Sequence, residues 1–410
     1  MSLADRANYQ SERLRQIVGH AYAHAPAVRA KFERAGLKPE DVQTVADLDG
    51  VPITRKDELR ELQRETPPFG GFLGVASQEL KRVFMSPGPI YEPEGLKNDY
   101  WRWAKALYAA GFRQGDVVLN IFSYHMTPAG AMFEEGLRVL CCAVVPAGVG
   151  NQELQVQIMH DLKVTGYVGL PSYLMALITK TQEMGYDFRK DFALRTAFVA
   201  AEMLPESLRQ TLQEEYGVSV CQGYGTAETG NLGYECAMKS GMHTPEDAIV
   251  EVVEPESGQS LGPGEVGEVV ATLFEETYPL IRFGTGDLSY YTDEPCPCDR
   301  TPHRLVRLVG RVGDAVKVRG MFVHPKQADE LIARFPQIAN YQIVISREAH
   351  KDDMTFHLEL NAEAVATDEL RVSLRERIKE VLKVRADLEF VPPGTIPQDA
   401  KKIRDERTWD

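Results

Sequence analysis

The chain of 410 residues is longer than one ordinary hydrophobic core supports, so two domains are expected. Hydrophobic residues make up 43% and charged residues 26% of the sequence, a composition typical of globular proteins rather than disordered chains. With 46 Lys and Arg against 60 Asp and Glu, the net charge of −14 argues against a nucleic-acid partner, which requires a broad basic face.

The N-terminal residues carry both signs of charge within six positions and lack the apolar stretch of a signal peptide. No window approaches eighteen uninterrupted apolar residues, so we expect no membrane partner. The six cysteines are expected to be reduced thiols or metal ligands rather than a disulfide scaffold. The sequence therefore predicts a cytoplasmic protein.

From about Tyr100 the sequence alternates between helical and strand periods. Helices are predicted at 101–110, 151–163, from 172 onward and at 205–217, and strands at 117–122, 167–170, 196–199 and 218–221. This alternation predicts βαβ units and a mainly parallel sheet. Ligand sites in such sheets lie at the carboxyl ends of the strands, here the loops after 145, 199 and 221.

The residue composition and the order of the predicted elements change in the second half of the chain. Gly, Pro and acidic residues at 254–268 precede a strand near 269–273, which predicts a β-rich subdomain. Beyond Gly320, the order strand, helix, strand, strand, helix, strand over roughly 90 residues predicts a small α+β domain. We therefore expect an α/β protein with an N-terminal domain, 1–312, of mainly parallel sheets and the β-rich subdomain, and a mobile C-terminal domain, 313–410.

The most specific motif is Gly-Tyr-Gly-Thr-Ala-Glu-Thr-Gly at 223–230, directly after a predicted strand. A glycine-bounded turn at a sheet edge can present backbone amides and a carboxylate to a nucleotide phosphate and its metal. Phe-Gly-Thr-Gly-Asp-Leu follows at 283–288, and Gly-Arg-Val-Gly-Asp-Ala-Val-Lys-Val-Arg-Gly at 310–320. In order and spacing, these three motifs resemble those of the adenylate-forming acyl-ligase superfamily, which includes the acyl-CoA synthetases.

Further segments resemble the phenylacetate–coenzyme A ligase group of that superfamily. They are Cys-Ala-Val-Val-Pro-Ala-Gly-Val-Gly-Asn at 142–151, Pro-Ser-Tyr-Leu at 171–174, Tyr-Glu-Cys at 234–236 and Cys-Pro-Cys-Asp-Arg-Thr at 296–301. The resemblance runs from about residue 10 to the C-terminus. It implies activation of a small, aromatic carboxylic acid by ATP to an acyl adenylate, followed by transfer to coenzyme A with release of AMP and pyrophosphate.

The resemblance also implies roles for individual residues around the nucleotide. Tyr224 is expected to stack on adenine, Glu228 to hold Mg²⁺ on the ATP phosphates, and Asp287 to accept both ribose hydroxyls, although a turn aspartate and a core aromatic are the plainer interpretations. Other positions expected to contact the nucleotide or coenzyme A are Ala200, Ala201, Glu202, Gly223, Gly225, Thr226, Arg311 and Arg319.

The C-terminal loop Pro-Gly-Thr-Ile-Pro-Gln-Asp-Ala-Lys-Lys-Ile-Arg aligns with the loop that carries the family's catalytic lysine. The spacing selects Lys402, with Lys401 as the second choice, and an ammonium there stabilises the charge that develops during adenylation. The alternative is that both lysines are solvated and idle. Residues 310–320 serve as the hinge in this superfamily, and Gly313 stands where a charged residue is usual.

One segment departs from the family pattern. The phosphate loop of the family reads roughly Ser-Ser-Gly-Thr-Thr-Gly-Lys-Pro, whereas residues 86–93 read Ser-Pro-Gly-Pro-Ile-Tyr-Glu-Pro. Glu92 replaces the lysine, and a carboxylate beside a triphosphate raises the Coulomb energy. Either Glu228 with Mg²⁺ and other amides holds ATP, or this loop has another role. A nucleotide-binding protein without ligase activity is therefore one alternative, and transfer to a carrier-protein thiol or an amine is another.

Two further sites are expected. Three thiols and an imidazole suit a tetrahedral structural zinc ion, although four unrelated residues are the alternative; the residues are Cys236, His243, Cys296 and Cys298. The acyl pocket is expected near Phe-Ser-Tyr-His-Met at 122–126 and the loop at 146–150, although His125 can equally be a surface histidine. Its candidate residues are Tyr124, His125, Ala147, Gly148 and Gly150. A homodimer is common in the group.

Overall fold

This computed structural model describes residues 1–86, 88–301, 303–312, 316–319, 321–323, 325–348, 351–362 and 364–408. It divides into two compact units, one of Met1–Leu204 with Arg209–Gly310 and the other of Pro205–Leu208 with Arg311–Asp410. Apart from Pro205–Leu208, the chain passes from the first unit to the second between Gly310 and Arg311, whereas the division was expected between 312 and 313. Among the described helices, none is both long enough and apolar enough to cross a membrane.

Helices alternate with strands through most of the chain. They are α1 (Leu3–His24), α2 (Pro26–Arg34), α3 (Lys56–Glu65), α4 (Ala104–Ala109), α5 (Ala129–Val139), α6 (Gln152–Asp161), α7 (Pro171–Glu183), α8 (Phe188–Asp191), α9 (Glu206–Gln210), α10 (Pro325–Ile332) and α11 (Asp368–Leu382). A π-helical turn, Thr211–Glu215, continues α9.

Strands of the first unit run from β1 to β14. They are β1 (Thr54–Arg55), β2 (Arg82–Ser86), β3 (Ile90–Glu94), β4 (Val117–Asn120), β5 (Ala143–Pro146), β6 (Gly166–Gly169), β7 (Thr196–Val199), β8 (Ser219–Thr226), β9 (Gly230–Glu235), β10 (Met242–His243), β11 (Ala248–Val253), β12 (Gly267–Leu273), β13 (Phe283–Thr292) and β14 (Arg304–Arg311). Those of the second unit are β15 (Val316–Val318), β16 (Met321–Val323), β17 (Ile338–Glu348), β18 (Lys351–Leu360), β19 (Asp387–Val391) and β20 (Ile403–Asp405).

One continuous sheet runs through the first unit in the order β11-β12-β13-β14-β10-β9-β8-β7-β6-β4-β5. Its β5-β4-β6-β7-β8 part is parallel, and the chain reverses at the antiparallel β8–β9 pair. The expected parallel sheet and β-rich subdomain are therefore confirmed, and they share one hydrogen-bonded sheet. Because β5 and β6 flank β4 on opposite sides, the carboxyl end of β4 is a topological switch point, where such folds bind ligands.

Two buried clusters cover the faces of this sheet. One joins α1 and α2 to the antiparallel half and includes Leu14, Phe32, Phe283 and Leu305. The other lies against the parallel half and includes Trp103, Phe133 and Phe198. Rings of Phe122 and Phe133 stack with centroids 4.7 Å apart, next to the carboxyl end of β4.

The helix expected from residue 101 begins at Ala104. Asp99 accepts hydrogen bonds from the amides of Trp103 (2.8 Å) and Ala104 (2.9 Å), and the Trp101 carbonyl accepts one from Asn231 in β9. Arg102 has a φ of 64°, in the left-handed region that helices exclude. The local bonds to Asp99 and the tertiary bond from Asn231 therefore replace the first helical turn that the side-chain pattern predicted.

The second unit is the expected small α+β domain. Its main sheet has the order β19-β18-β17-β20, with β17 and β18 antiparallel and the outer pairs parallel. Leu374, Ile378 and Phe356 are buried between α11 and this sheet. Thr367 caps α11 by accepting a hydrogen bond from the amide of Leu370 (3.2 Å).

Candidate nucleotide and acyl site

Tyr224 and Asp287 meet where β8 and β13 pass through the antiparallel half of the sheet. The Tyr224 hydroxyl lies 3.0 Å from both Asp287 Oδ2 and Thr285 Oγ1, and Thr285 donates to the Val269 carbonyl (2.8 Å). Tyr224 is 5% exposed and Asp287 is 8% exposed. The structure thus joins two residues predicted separately from motifs sixty residues apart, and their roles toward adenine and ribose stay predictions.

Gly223 and Gly225 lie within β8, not in a turn as the motif predicted. The strand continues to Thr226 because its residues pair with β9, with Gly223 opposite Tyr234. A side chain at Gly223 would collide with the Phe198 ring, and one at Gly225 with the Gly230 carbonyl. These glycines therefore permit close packing, and the turn itself is confined to the residues between Thr226 and Gly230.

The segment Ala200–Glu202 follows β7 at the carboxyl edge of the parallel strands. The Ala200 amide donates to the Gly169 carbonyl (3.1 Å), and Ala201 has a left-handed φ of 70°. Ser172, at the start of α7, donates to Glu202 Oε2 (2.7 Å). This turn lies at the sheet edge where the fold is expected to bind its ligand.

Glu228 lies in the turn after β8, and its carboxylate is buried at 5% exposure. Lys56 Nζ, from the first residue of α3, lies 2.5 Å from Glu228 Oε1. The Lys56 ammonium is therefore an ion-pair partner of the buried Glu228 carboxylate. Burial raises the pKa of Glu228, but the Lys56 ammonium, with further hydrogen bonds, outweighs burial and the pKa falls below its ordinary value.

Residues 86–93 contain the turn of a β-hairpin rather than a glycine-rich cradle. In the β2–β3 pair, Ser86 is opposite Ile90 and Phe84 is opposite Glu92; Pro87 lies outside the described residues. Gln63 of α3 holds both backbone groups of Tyr91, accepting from its amide (2.7 Å) and donating to its carbonyl (2.9 Å). These backbone groups are therefore bound within the protein.

Glu92 is 2% exposed and accepts a hydrogen bond from the Ser86 hydroxyl (2.9 Å). Burial, and next the negative charge of Glu228, raise the pKa of Glu92 well above its ordinary value, against the attraction of Lys56. Glu92 and Glu228 are thus two buried carboxyl groups that influence each other electrostatically, and the partly exposed Lys56 ammonium is paired with Glu228. We call Lys56, Glu92 and Glu228 the carboxylate–lysine cluster.

Asn120, at the end of β4, connects the two loops of the expected acyl pocket. Its side-chain amide donates to the Tyr124 hydroxyl and to the Gly130 carbonyl, both at 2.8 Å. The backbone carbonyl of Asn120 accepts hydrogen bonds from the backbone amides of Ala147 (3.0 Å) and Gly148 (3.1 Å). Asn120 is fully buried and lies at the topological switch point, so it positions the predicted substrate residues on both loops.

The other acyl-pocket candidates are more open. His125 is exposed on the loop that follows β4. A Cβ added to Gly148 or Gly150 would meet no atom within 4 Å, and both residues have positive φ. Burial raises the pKa of Tyr124, as does nearby Glu134, so its hydroxyl stays protonated at neutral pH. The loops therefore border open space beside a neutral tyrosine hydroxyl.

The two halves of the expected metal site meet in the structure. Cys236 Sγ lies 3.8 Å from Cys296 Sγ, and Cys298 Sγ lies 3.4 Å from His243 Nε2. The four ligand atoms all lie within 4.8 Å of one another. Tetrahedral zinc with Zn–S bonds of about 2.3 Å places two sulfurs about 3.8 Å apart, so the spacing fits that ion.

The electrostatics of this Cys₃His cluster also fit metal binding. Burial lowers the pKa of His243 to about 4, so the imidazole is neutral and able to coordinate at pH 7. Burial alone would raise the pKa of Cys298, but hydrogen bonds from Arg300 and the neighbouring thiols hold it at about 7. Nδ1 of His243 is buried without a hydrogen-bond partner in the described part of the chain.

Lys402 lies beside the main sheet of the second unit. Its Nζ donates to Asn340 Oδ1 (3.0 Å) and lies 4.6 Å from the centroid of the Tyr341 ring. Lys401 is exposed, and its carbonyl accepts from Gln342 (2.9 Å). The sequence spacing only favoured Lys402 over Lys401. The structure distinguishes them, because the Lys402 ammonium contacts neighbouring side chains whereas Lys401 is exposed.

Arg319 donates to the Asp352 carbonyl and to Asp353 Oδ1, both at 2.6 Å, within the second unit. It borders a groove of about 510 Å³ that is also lined by Arg375, Lys379 and Arg385. Arg311 ends β14 and is half-buried. Gly313, Asp314 and Gly320 of the expected hinge lie outside the described residues.

Sequence reasoning missed two residues that the fold brings to the site. Asn120 was included in a predicted strand with no role, and Lys56 follows a two-residue strand in a region without a recognised motif. Lys56 reaches the site because β1 pairs in parallel with β13, with Thr54 opposite Phe283, and α3 begins at the next residue. No local pattern signals such a long-range pairing.

Family models match both units. The AMP-binding enzyme model matches residues 101–272, and the model of the AMP-binding enzyme C-terminal domain matches residues 320–407. The fold is thus that of an AMP-binding enzyme.

Full-length relatives define the family more closely. Phenylacetate-coenzyme A ligase of Thermus thermophilus is 32% identical, covering 96% of this chain and 94% of the relative, and that of Escherichia coli is 30% identical, covering 96% and 92%. The chain belongs to the phenylacetate-coenzyme A ligase family, which confirms the resemblance. The crystal structure of 2-hydroxyisobutyryl-CoA ligase with 2-HIB-AMP and CoA superposes with a TM-score of 0.90 at 28% identity, over 99% of this chain and 91% of that one.

Proposed function

We propose that this protein is an AMP-forming acid–coenzyme A ligase. It joins a small carboxylic acid to ATP, giving an acyl adenylate and pyrophosphate, and then transfers the acyl group to coenzyme A with release of AMP. The observation that carries the proposal is the buried contact of Tyr224 with Asp287 at 3.0 Å, in a chain of this family. Curated relatives are named as coenzyme A ligases, which favours coenzyme A over a carrier protein or an amine as acceptor.

In this proposal the adenosine lies along the edge formed by β7, β8 and β13. Asp287 accepts from the ribose hydroxyls while Tyr224 holds the carboxylate in place through its hydroxyl. The backbone after β7 and β8 borders the base and the α-phosphate, with the contacts expected from Ala200, Ala201, Glu202, Gly223, Gly225 and Thr226. Arg311 and Arg319 are proposed to contact the phosphates of ATP or coenzyme A.

Glu228 is proposed to hold Mg²⁺ beside the ATP phosphates. The lowered pKa of its buried carboxyl group keeps it ionised at neutral pH, and carboxylate oxygens are ligands that Mg²⁺ prefers. The bound ion would neutralise phosphate charge during attack by the substrate carboxylate. Lys402 is proposed to stabilise the charge between that carboxylate and the α-phosphate.

The acid is proposed to bind at the switch point between the loops that Asn120 connects, against Tyr124, His125, Ala147, Gly148 and Gly150. An aromatic acid is favoured by the phenylacetate ligases among the relatives and by the stacked Phe122 and Phe133 rings nearby. The 2-hydroxyisobutyryl-CoA ligase structure makes a small branched 2-hydroxy acid the second candidate.

Acid-dependent exchange of pyrophosphate into ATP tests the proposal, with a panel of arylacetic, benzoic and 2-hydroxy acids. Exchange with at least one acid, followed by thioester formation on adding coenzyme A, is the expected result. If no acid supports exchange, the chain binds nucleotides without ligating. If exchange occurs without a thioester, the acceptor is another thiol or an amine.

Lys402 has a matched control in its neighbour. Lys402→Ala should slow adenylation by about a hundredfold or more, since the ammonium acts on the transition state. The same variant should still form thioester from supplied acyl adenylate, and Lys401→Ala should leave both steps near wild-type rates. Equal losses in the two alanine variants would remove the role assigned to Lys402.

The Cys₃His cluster is proposed to bind one structural Zn²⁺. Elemental analysis of protein purified without chelator should give about one zinc per chain, and Cys296→Ser should lose it, since each ligand contributes to closed tetrahedral coordination. Cys221→Ser is the control, because Cys221 is buried next to the cluster but is not one of its four ligands. Zinc-free wild-type protein would exclude the site.

Other sequence-based expectations stay predictions. These are the cytoplasmic location, the homodimer, the absence of nucleic-acid and membrane partners, and the movement of residues 313–410 relative to 1–312 between adenylation and thioester formation.

A further inference from the structure

The second unit carries an open groove of about 510 Å³ whose walls are rich in positive charge. Five cationic side chains line it, namely Arg319, Lys351, Arg375, Lys379 and Arg385. Only three acidic side chains line the same groove, although the whole chain has a net charge of −14. The groove therefore reverses the sign of the overall charge of the protein, which makes it a candidate site for an anion.

The fold brings these cations together from four segments of the chain. Arg375 and Lys379 are four residues apart on α11, so their exposed side chains are neighbours on one face of that helix. After α11 the chain leads through Arg385 into β19, which pairs in parallel with β18. Lys351 is the first residue of β18, and Arg319 follows β15. The convergence is thus a product of tertiary structure and not of a basic run in the sequence.

The protein itself neutralises little of this charge. Arg319 donates to the Asp353 carboxylate at 2.6 Å, which pairs one of the cations with one of the acids. The other four cations are exposed, and none of them has an ion pair or a side-chain hydrogen bond with a residue that the structure describes. The C-terminal end of a helix favours a cation such as Lys379, but it does not explain why three more lie around the same groove.

Phosphate groups are the anions that suit this lining. A guanidinium group can bind two phosphate oxygens at once, and a lysine ammonium acts as a point charge toward the same ligand. Coenzyme A carries a diphosphate and a separate 3′-phosphate, and a phosphate monoester alone has a charge of about −1.5 to −2 at pH 7. The ATP phosphates are proposed to lie beside the carboxylate–lysine cluster of the first unit, so the groove suits the other substrate that carries phosphates.

We propose that this groove binds the 3′-phosphate and the diphosphate of coenzyme A through the four cations that lack a partner in the described structure. The inference rests on the proposed function, because it takes coenzyme A as the acceptor. Since these side chains contact only phosphates in this arrangement, they lower the KM for coenzyme A and leave the adenylation step unchanged. Arg319, which Asp353 already orients, borders the same groove.

Calorimetry of the full chain with coenzyme A and with dephospho-coenzyme A, which lacks the 3′-phosphate, tests the inference without acid or ATP. Wild type should bind coenzyme A about tenfold more tightly than dephospho-coenzyme A, the effect of roughly one charged hydrogen bond. Arg375→Gln should raise the Kd for coenzyme A about tenfold and bring the two Kd values together. Arg377→Gln is the matched control, because Arg377 is on the same helix, pairs with Glu380 and is not part of the groove lining.

Arg385→Gln, in the segment between α11 and β19, is a second variant that does not depend on the folding of Arg375→Gln. Equal Kd values for coenzyme A in both groove variants and in Arg377→Gln would overturn the inference, as would a wild type that does not distinguish the two ligands. An equal loss of affinity for ATP would assign the groove to phosphate groups in general and would also overturn it. Thioester formation with an unchanged KM for coenzyme A in the groove variants defeats only this inference, whereas groove-dependent binding of coenzyme A without thioester formation defeats only the proposed function.

Discussion

The adenosine end and the phosphate end of the candidate nucleotide site differ in how far the protein satisfies its own polar groups. At the adenosine end, Tyr224, Thr285 and Asp287 form a connected hydrogen-bond chain that ends on the Val269 carbonyl. At the phosphate end, Glu228 forms an ion pair with Lys56, whereas burial, and next the charge of Glu228, raise the pKa of Glu92 well above its ordinary value.

This difference shows which end depends on a ligand. A satisfied polar network in a buried site stabilises one arrangement of its side chains, whereas an unsatisfied buried charge destabilises the folded state until a partner arrives. The adenosine end is therefore preorganised by the protein alone. The phosphate end contains a buried carboxyl group, that of Glu92, whose raised pKa shows that the folded protein disfavours its ionised form.

Glu228→Gln should give the largest effect, and it should act on one end only. Loss of the metal-binding carboxylate should slow acid-dependent pyrophosphate exchange by roughly a hundredfold or more, since the ion acts on charge that develops in the transition state. AMP has no β- or γ-phosphate, so its affinity should change little. Exchange assays and AMP calorimetry together measure this, and an equal loss in both would erase the distinction between the two ends.

Asp287→Asn should act at the other end. Hydrogen bonds to a charged acceptor contribute about 1.5–3 kcal/mol, so the affinity for AMP and for ATP should fall by roughly ten- to a hundredfold in parallel. Calorimetry with both nucleotides measures the change. A loss confined to ATP would place Asp287 at the phosphates instead of the ribose.

Glu92→Gln should stabilise the metal-free protein, unlike any change at the adenosine end. Burial and Glu228 raise the folded pKa of Glu92 above the unfolded value, so the folded state binds more protons and loses stability as pH rises through the folded pKa. Gln does not titrate. The stability advantage of the variant, from urea unfolding at pH 5 to 8.5, should therefore grow with pH. Lys56, Glu228, Tyr100 and Tyr278 also face this region and are unchanged in both proteins.

Tyr224→Phe should give the smallest effect, with the opposite sign. Removing the hydroxyl that bonds to Asp287 and Thr285 should lower the free energy of unfolding by about 0.5–1.5 kcal/mol, the usual contribution of one hydrogen bond. Urea unfolding of metal-free protein at pH 7 measures it. A free energy of unfolding equal to that of wild type would mean that the hydrogen bonds of the Tyr224 hydroxyl do not contribute to stability, for example because water replaces them.

Several elements were predictable because their signals are local. The strand predicted at 196–199 is β7 with the same bounds, and beyond Gly320 the strands and helices follow the predicted order except that the last strand, β20, was not predicted. Periodicity and capping residues determine such elements within a few positions. The family motifs likewise predicted one site for Tyr224, Glu228 and Asp287, and the structure brings the first and last of these into hydrogen-bond contact.

Other features had no local signal. The first turn of the predicted helix at 101–110 is absent because Asp99 and Asn231 bind its backbone instead. The glycine-rich motif continues a strand because β9 pairs with it. In the first case a nearby aspartate and a distant asparagine, and in the second a neighbouring strand, outweigh a preference of about 1 kcal/mol or less per residue.

The sequence by itself determined the family, the order of the elements and the identity of the charged groups, including the substitution of Glu92 for a lysine. Only the tertiary structure decided what surrounds that carboxylate. It paired Lys56 of α3 with Glu228 of the turn after β8, brought their charges within electrostatic range of Glu92, and buried the two carboxylates. Burial makes this single substitution electrostatically important, because charges removed from water interact more strongly and destabilise the fold when they are unpaired.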